Sequence, residues 1–188
     1  MKKKQKVVIM FRLISGAALS VVTFLALSCS AEPQEEQKAA TEDTAEVEEL
    51  AELFGPSLIR RGEETVQVEN LEAKRIGIYF SAHWCPPCRM FTPKLVDVYK
   101  ELNKQGKDFE IVFVSADRSE EAMHDYMEGE EMPWLALDYG SKHKDKLARR
   151  YSVRGIPSLI ILNRDGEIVT KDGRTDVTEH GAKAYEKW

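Results

Sequence analysis

The sequence predicts an α/β domain in which a central mixed β-sheet carries helices on both faces. Three observations predict it. Nearly continuous apolar runs of strand length recur at Arg75 to Phe80, Phe109 to Val114 and Ser158 to Leu162. Segments with apolar residues at helical spacing separate them, the order in which strands are joined by helical crossovers. The third run leads through Asn163-Arg164-Asp165-Gly166 into Glu167-Ile168-Val169, a hairpin that adds an antiparallel strand.

The chain has 188 residues, 43% of them apolar, enough for one ordinary core. Residues 1–28 are set apart from that core as an export signal. Lys2, Lys3, Lys4, Lys6 and Arg12 precede an apolar or small stretch from Leu13 to Ser28 with no acidic residue. The stretch is shorter than the roughly twenty residues of a membrane-spanning helix, unless Val7 to Met10 are drawn in as well. Its end, Leu25-Ala26-Leu27-Ser28-Cys29-Ser30, is similar to a bacterial lipoprotein signal, in which the cysteine is lipidated; Ala26 and Leu27 depart from that pattern. Three readings stay open: lipidation of Cys29, plain cleavage near Ser30, and an uncleaved anchor. In each the basic end remains in the cytoplasm and the remainder is exported, so the expected location is the periplasm.

Residues 1–28 hold five basic and no acidic side chains, leaving 22 basic against 32 acidic in the rest. Such an excess of acid argues against nucleic acid, whose phosphates need a basic face. Residues 29–52 are rich in Glu, Ala, Gln and Thr and read as an acidic tether, with Val47, Leu50 and Leu53 able to form a helical turn or two at its end. The folded domain is expected over 53–188.

Within the domain, Thr65 to Val68 alternates and predicts a short edge strand. Arg75 to Phe80 suits a central strand buried on both faces. From Pro86 to Asn103, Phe91, Leu95, Val98 and Leu102 recur at helical spacing, with Gly106 as the stop. Pro86 and Pro87 are tolerated at a helix start, where the N–H groups lack internal partners, and Pro93 should kink the helix. After the strand Phe109 to Val114, Ser119 can cap a helix running to Glu128, with Ala122, Met123, Tyr126 and Met127 on its apolar side. Trp134 to Leu137 reads as a short strand and Ser141 to Arg150 as a basic helix with Leu147 and Tyr151 inward. Asp176 to Trp188 is expected to close the fold as one last helix, with Tyr185 and Trp188 inward.

The chemistry lies in Trp84-Cys85-Pro86-Pro87-Cys88, which follows a buried strand and opens a helix. Cys85 then sits at the positive end of the helix dipole, near the amides of the first turn, which favours its thiolate. Cys88, one turn on and facing inward, is positioned to attack a mixed disulfide formed at Cys85. Other readings of the pair are weaker. As a staple, so short a loop would contribute only about 2 kcal/mol against about 3 for a fifteen-residue loop. A zinc site normally takes four ligands, and beyond this pair there are only the dispersed His83, His124, His143 and His180. A pair of inert core cysteines sits poorly with the flanking Trp and two prolines. No metal and no cofactor is expected.

The runs Tyr79-Phe80-Ser81-Ala82-His83-Trp84-Cys85-Pro86-Pro87-Cys88-Arg89, Phe91-Thr92-Pro93, Phe113-Val114-Ser115-Ala116-Asp117-Arg118-Ser119, Met132-Pro133-Trp134-Leu135-Ala136 and Gly155-Ile156-Pro157 resemble the nucleoredoxin and tryparedoxin branch of the thioredoxin superfamily, here in an exported bacterial form. The likeness spans about Phe54 to Thr175. It implies a thioredoxin fold and a thiol–disulfide oxidoreductase, expected to act as a reductant of protein or small disulfides, with Cys85 attacking and Cys88 resolving. Pro157 would be the cis-proline facing the disulfide, leaving the backbone of Ile156 free to pair with an extended substrate. Trp84 would form surface beside Cys85, or else pack half-buried. Pro86, Pro87 and Arg89 would support the site, although a solvated Arg89 fits equally. His83 is a candidate proton carrier or an ordinary surface histidine.

Two departures from the pattern stand out. Tyr79 occupies the position, six residues before the attacking cysteine, where many thioredoxins bury an aspartate, so water or another carboxylate must accept the proton of Cys88. The Pro86-Pro87 pair removes two amide donors and leaves the redox potential unread. The expected partners are a disulfide-bearing protein and an upstream thiol reductant, with membrane contact only through the N-terminal anchor or lipid; a monomer is expected. The alternatives are a redox-inactive binding module built on the same fold, and a disulfide oxidase or isomerase.

Overall fold

The computed structural model describes residues 46–62 and 64–188. The signal segment 1–28, Cys29 and the tether as far as residue 45 lie outside the described residues. Seven strands form one sheet: β1 (Ser57–Arg60), β2 (Thr65–Gln67), β3 (Arg75–Ser81), β4 (Phe109–Ser115), β5 (Leu135–Ala136), β6 (Ser158–Asn163) and β7 (Ile168–Thr170). Their spatial order is β2-β1-β5-β4-β3-β6-β7. β3 runs parallel to β4 and β4 parallel to β5, while β6 is antiparallel to β3 and β7 to β6. The sheet is therefore mixed, as expected.

Five helices accompany it: α1 over 46–54, α2 (Pro86–Lys104), α3 (Glu120–Gly129), α4 (His143–Arg150) and α5 (Gly173–His180). The period-two geometry of β3 sends Ile76, Ile78 and Phe80 to one face and Tyr79 to the other. The first set joins Leu50 and Leu53 of α1, Val112 and Val114 of β4 and Leu147 of α4. Tyr79 joins Phe91, Leu95 and Leu102 of α2, Phe113 of β4 and Met123 and Tyr126 of α3. Each face of the sheet is thus covered, and α1, which overlaps the tether expected over 29–52, already supplies core residues.

Two elements differ from the sequence expectations. β1 was not foreseen; it lies between β2 and β5, antiparallel to both, with Leu58 opposite Val66 and Ile59 opposite Ala136. The closing helix is two pieces. α5 begins at Gly173 rather than Asp176 and ends where Gly181 turns to φ 56°, after which Gly181–Lys187 form a tighter 3₁₀ helix. As expected, Pro93 lies inside α2, which runs to Lys104. Ser119 caps α3 as expected, its hydroxyl accepting the Ala122 N–H at 3.2 Å. Tyr185 and Trp188 are partly buried, the first edge-on and the second tilted against the ring of Phe109.

The edges of the sheet are short. β2 and β7 have three residues each, and the β6–β7 ladder has a register irregularity between Ile161 and Leu162. Ile168 and Val169 of β7 are among the exposed large apolar side chains.

Candidate active site

The C-terminal end of β3 and the start of α2 hold the cysteine pair. β3 is central, hydrogen-bonded on one side to β4 and on the other to β6, so its end is fixed by two ladders. The chain leaves it at Ser81 and turns through His83 and Trp84, with the Cys85 N–H donating to the Ala82 carbonyl at 3.2 Å. Cys85 is the extended residue preceding α2, and Pro86 and Pro87 fill the first helical positions. Their fixed φ suits a helix start. The sulfurs of Cys85 and Cys88 are bonded to each other, with the Cα atoms 5.3 Å apart. Both cysteines are buried, Cys88 fully and Cys85 at 5% exposure, so Cys85 is the nearer of the two to the surface.

The loop before β6 closes over the pair. The Ile156–Pro157 peptide bond is cis. The Cys85 sulfur lies 3.9 Å from the Ile156 carbonyl oxygen. Ala82, Cys85 and Cys88 form a small apolar cluster against which Ala116 and Ile156 pack. Sequence positions 82, 116 and 156 are thereby brought to one spot by the ends of β3, β4 and the approach to β6.

One expectation about the first turn of α2 fails. Two of its residues are prolines without an N–H, and the amides of Cys88 and Arg89 both donate to the Cys85 carbonyl, at 3.0 and 3.2 Å. The Cys85 side chain accepts no capping hydrogen bond. The amides expected beside its sulfur are therefore already committed, and what α2 offers that atom is the field of the helix dipole.

Trp84 is 51% exposed, held in place by its indole N–H, which donates to the Ala116 carbonyl at 3.0 Å. The Arg118 guanidinium lies over its ring at 5.8 Å. It is thus a half-exposed ring held in place next to Cys85. Arg89 is exposed and forms no ion pair among the described residues. His83 is exposed too; its ring lies 5.5 Å from that of Tyr126, and its backbone N–H donates to Asp117 Oδ1 at 2.9 Å. The other Asp117 oxygen accepts the Ser115 hydroxyl at 2.9 Å. Asp117, buried at 5% exposure, thus joins the loop after β3 to the end of β4.

Behind Cys88 lies a cluster of hydroxyls to which the sequence reading gave no role. The Thr92 hydroxyl donates to the Cys88 carbonyl at 3.0 Å. A threonine has a single O–H, so its hydrogen bonds to the hydroxyls of Tyr79 at 2.7 Å and Tyr126 at 2.5 Å must be accepted by Thr92 Oγ1. Tyr126 has then used its own proton and accepts from Ser81, 3.1 Å away. Every proton in the cluster has one assignment. Burial pushes the phenols of Tyr79 and Tyr126 above their ordinary range, so they stay neutral and orient the first turns of α2 without acting as bases. Tyr79 therefore replaces an ionisable side chain with a neutral donor. The signal for this cluster was present in part: Thr92 follows Cys88 by four residues, hence on the same helix face, and Ser81 and Tyr126 are polar groups at otherwise apolar positions.

A shallow cleft of about 160 Å³ adjoins the pair, lined by Pro87, Met90, Phe91, Lys94, Arg174 and Thr178. It runs between the first turns of α2 and α5.

Comparison with known proteins agrees with this geometry. Residues 73–168 match the family described as thioredoxin-like. Mouse nucleoredoxin is 46% identical over 126 residues, which cover 66% of this chain and 28% of that protein; probable nucleoredoxin 1 of Arabidopsis thaliana is 50% identical over 120 residues, covering 64% and 20%. The chain thus spans less than a third of the length of these relatives. Among solved structures, tryparedoxin I from Leishmania major superimposes with a TM-score of 0.65 at 36% identity, covering 72% of this chain and 92% of that one. Thioredoxin from Wuchereria bancrofti gives 0.64 at 40% identity, covering 68% and 88%. A mixed sheet with a Cys-Pro-Pro-Cys pair at the mouth of α2, a cis-proline loop over it and these relatives together establish that the chain belongs to the thioredoxin-like family, with nucleoredoxins and tryparedoxins among its kin.

Proposed function

We propose that the chain is a protein-disulfide reductase that works through the Cys85–Cys88 dithiol. The observation that carries this reading is the position of the Cys85 sulfur, 3.9 Å from the carbonyl of Ile156 in the cis-proline loop, with Cys88 bonded to it from behind. In the reduced protein the Cys85 thiolate attacks one sulfur of a substrate disulfide. The sulfur–sulfur bond of the substrate breaks, one substrate thiolate leaves, and a mixed disulfide forms at Cys85. Cys88 loses its proton and displaces the second substrate thiol, so two electrons pass from the cysteine pair to the substrate. An upstream dithiol then reduces the pair again. Trp84 and the backbone of Ile156 and Pro157 supply the surface along which the substrate segment lies, while the dipole of α2 and the charge of Arg89 favour the thiolate.

The Cys88→Ser variant should accumulate a covalent complex with substrate, visible on non-reducing gels and released by dithiothreitol. Cys85→Ser should abolish dithiothreitol-coupled insulin reduction. Full activity in Cys85→Ser would overturn the assignment.

The same proposal includes export. The basic run before Leu13 and the apolar stretch after it support a route out of the cytoplasm, with the domain retained at the membrane through residues 1–29. Release of a Cys29→Ala variant into the soluble periplasmic fraction would identify a lipid on Cys29; its retention at the membrane would identify an uncleaved segment.

A further inference from the structure

Cations without ion pairs stand on the elements that flank the disulfide of an otherwise acid-rich chain: Arg118 lies over Trp84, and Lys94 and Arg174 line the cleft that Pro87 borders. Arg89 lies in the first turn of α2 and Lys94 in its third, Arg174 in the first turn of α5, Arg118 in the turn after β4 and Arg154 in the loop that leads to the cis-proline. None of the five forms an ion pair among the described residues. Several other cations are paired, as Arg150 with Glu49 at 2.7 Å, Lys146 with Glu52 at 2.8 Å and Arg61 with Glu128 at 3.8 Å, while Lys104, Lys142, Lys144, Arg149 and Lys183, on other parts of the surface, form no ion pair among the described residues either; what distinguishes the five is that they stand on the elements that flank the disulfide.

The acidic groups near the rim do not cancel it. α2 has no acidic residue in its first turn, and its first one is Asp97. Both oxygens of Asp117 are engaged inside the fold. Asp176 of α5 is taken by Lys187 and by the indole N–H of Trp188. Apart from Asp117 and Asp176, the acids close to the five along the chain are Glu120 and Glu121 after Arg118, Asp97 three residues after Lys94 and Asp172 two before Arg174, and none of them forms an ion pair with the five among the described residues.

Apolar surface lies within the same rim. Met90 is 74% exposed and lines the cleft with Lys94 and Arg174, and Trp84 stands beside Cys85. Flexible methionine fits varied apolar partners, and charge arranged around a binding surface sets encounter rate and discrimination more than final affinity.

We propose that this rim, Arg89, Lys94, Arg118, Arg154 and Arg174 around the apolar surface of Met90, selects protein disulfides whose cysteine is flanked by acidic and apolar residues. The proposal rests on the reductase reading and names its substrate class. Charge complementarity chooses the occupant: an acidic segment is attracted by the unpaired cations, and its apolar residues cover Met90 while its cysteine reaches Cys85.

The test uses the dithiol-reduced protein and disulfide-linked peptide dimers. One peptide has glutamates and a leucine beside its cysteine, and its counterpart has glutamines in place of the glutamates. Peptide thiol released is followed by chromatography. The acidic dimer should react faster by about tenfold at low ionic strength, and high salt should bring the two rates together. A Lys94→Gln/Arg174→Gln double variant should bring the ratio of the two rates near unity, while an exposed-surface control, Lys183→Gln, should keep it. Equal rates in the wild type, or a ratio indifferent to salt and to the double variant, would overturn the substrate class alone, provided the glutamine dimer is reduced. An equal rate advantage for oxidised glutathione would show a preference for small anionic disulfides and overturn the protein assignment. No reduction of either peptide or of insulin would overturn the reductase reading and this inference with it.

Discussion

Thr92 shows how much one hydroxyl can organise. It accepts from Tyr79 and Tyr126 and donates to the Cys88 carbonyl, so Thr92→Val keeps the shape and removes the acceptor for two buried phenols. We expect a loss of about 1–3 kcal/mol, measured by chemical denaturation, because the phenols cannot regain water. Glu110 behaves differently. Burial raises its carboxyl above the ordinary range, against hydrogen bonds from the Ile111 N–H and the Tyr99 hydroxyl, both at 2.8 Å. Between the ordinary and the raised value the folded protein binds more protons than the unfolded chain. Stability therefore falls as pH rises through that window and is greatest below it with respect to this group. Glu110→Gln should flatten that fall in thermal melts taken from about pH 4 to about pH 8. At this scale the cysteine pair was legible because its spacing is short and local. The hydroxyl cluster was legible only in part, since its polar residues stand out locally but Ser81, Thr92 and Tyr126 come together across up to 45 residues.

At the scale of elements, the start of α5 is held close against β6. A Cβ added at Gly173 would come within 2.9 Å of the Leu159 carbonyl oxygen and 3.1 Å of its Cγ. Since the first neighbour is backbone, Gly173→Ala should cost about 1–3 kcal/mol and move α5, and with it Arg174, away from the cleft. Denaturant midpoints would check the first effect. The central strands and α2 were readable from periodicity because each buries a long apolar pattern. β1 was not, because its four residues, Ser57-Leu58-Ile59-Arg60, have too short a pattern of their own and are strands only by pairing with β2 and the distant β5. The break at Gly181 was missed for a related reason: the helical spacing continues through it, while its backbone does not.

At the scale of the whole molecule, the two faces of the sheet are sealed by different parts of the chain. α1 closes the face away from α2 and α3, with Leu50 and Leu53 fully buried. Its ion pairs to α4, Glu49 with Arg150 and Glu52 with Lys146, face solvent, so the leucines dominate its attachment. Leu50→Ala should destabilise the protein by about 2–5 kcal/mol in equilibrium unfolding, the size expected of a core position and far above that of a tether. Composition had suggested solvated chain almost up to Leu53, because three apolar residues among glutamates give little signal until a second surface is present to receive them.

The two sheet margins have unequal outcomes under crowding. β2 ends in charged and polar neighbours, whereas β7 offers unpaired backbone groups beside Ile168 and Val169, both solvent-facing. A strand from another molecule could extend the ladder at that margin, but three residues and a slipped register give it little length to grip. Brevity there acts as the safeguard against aggregation, and any lengthening of β7 would weaken it.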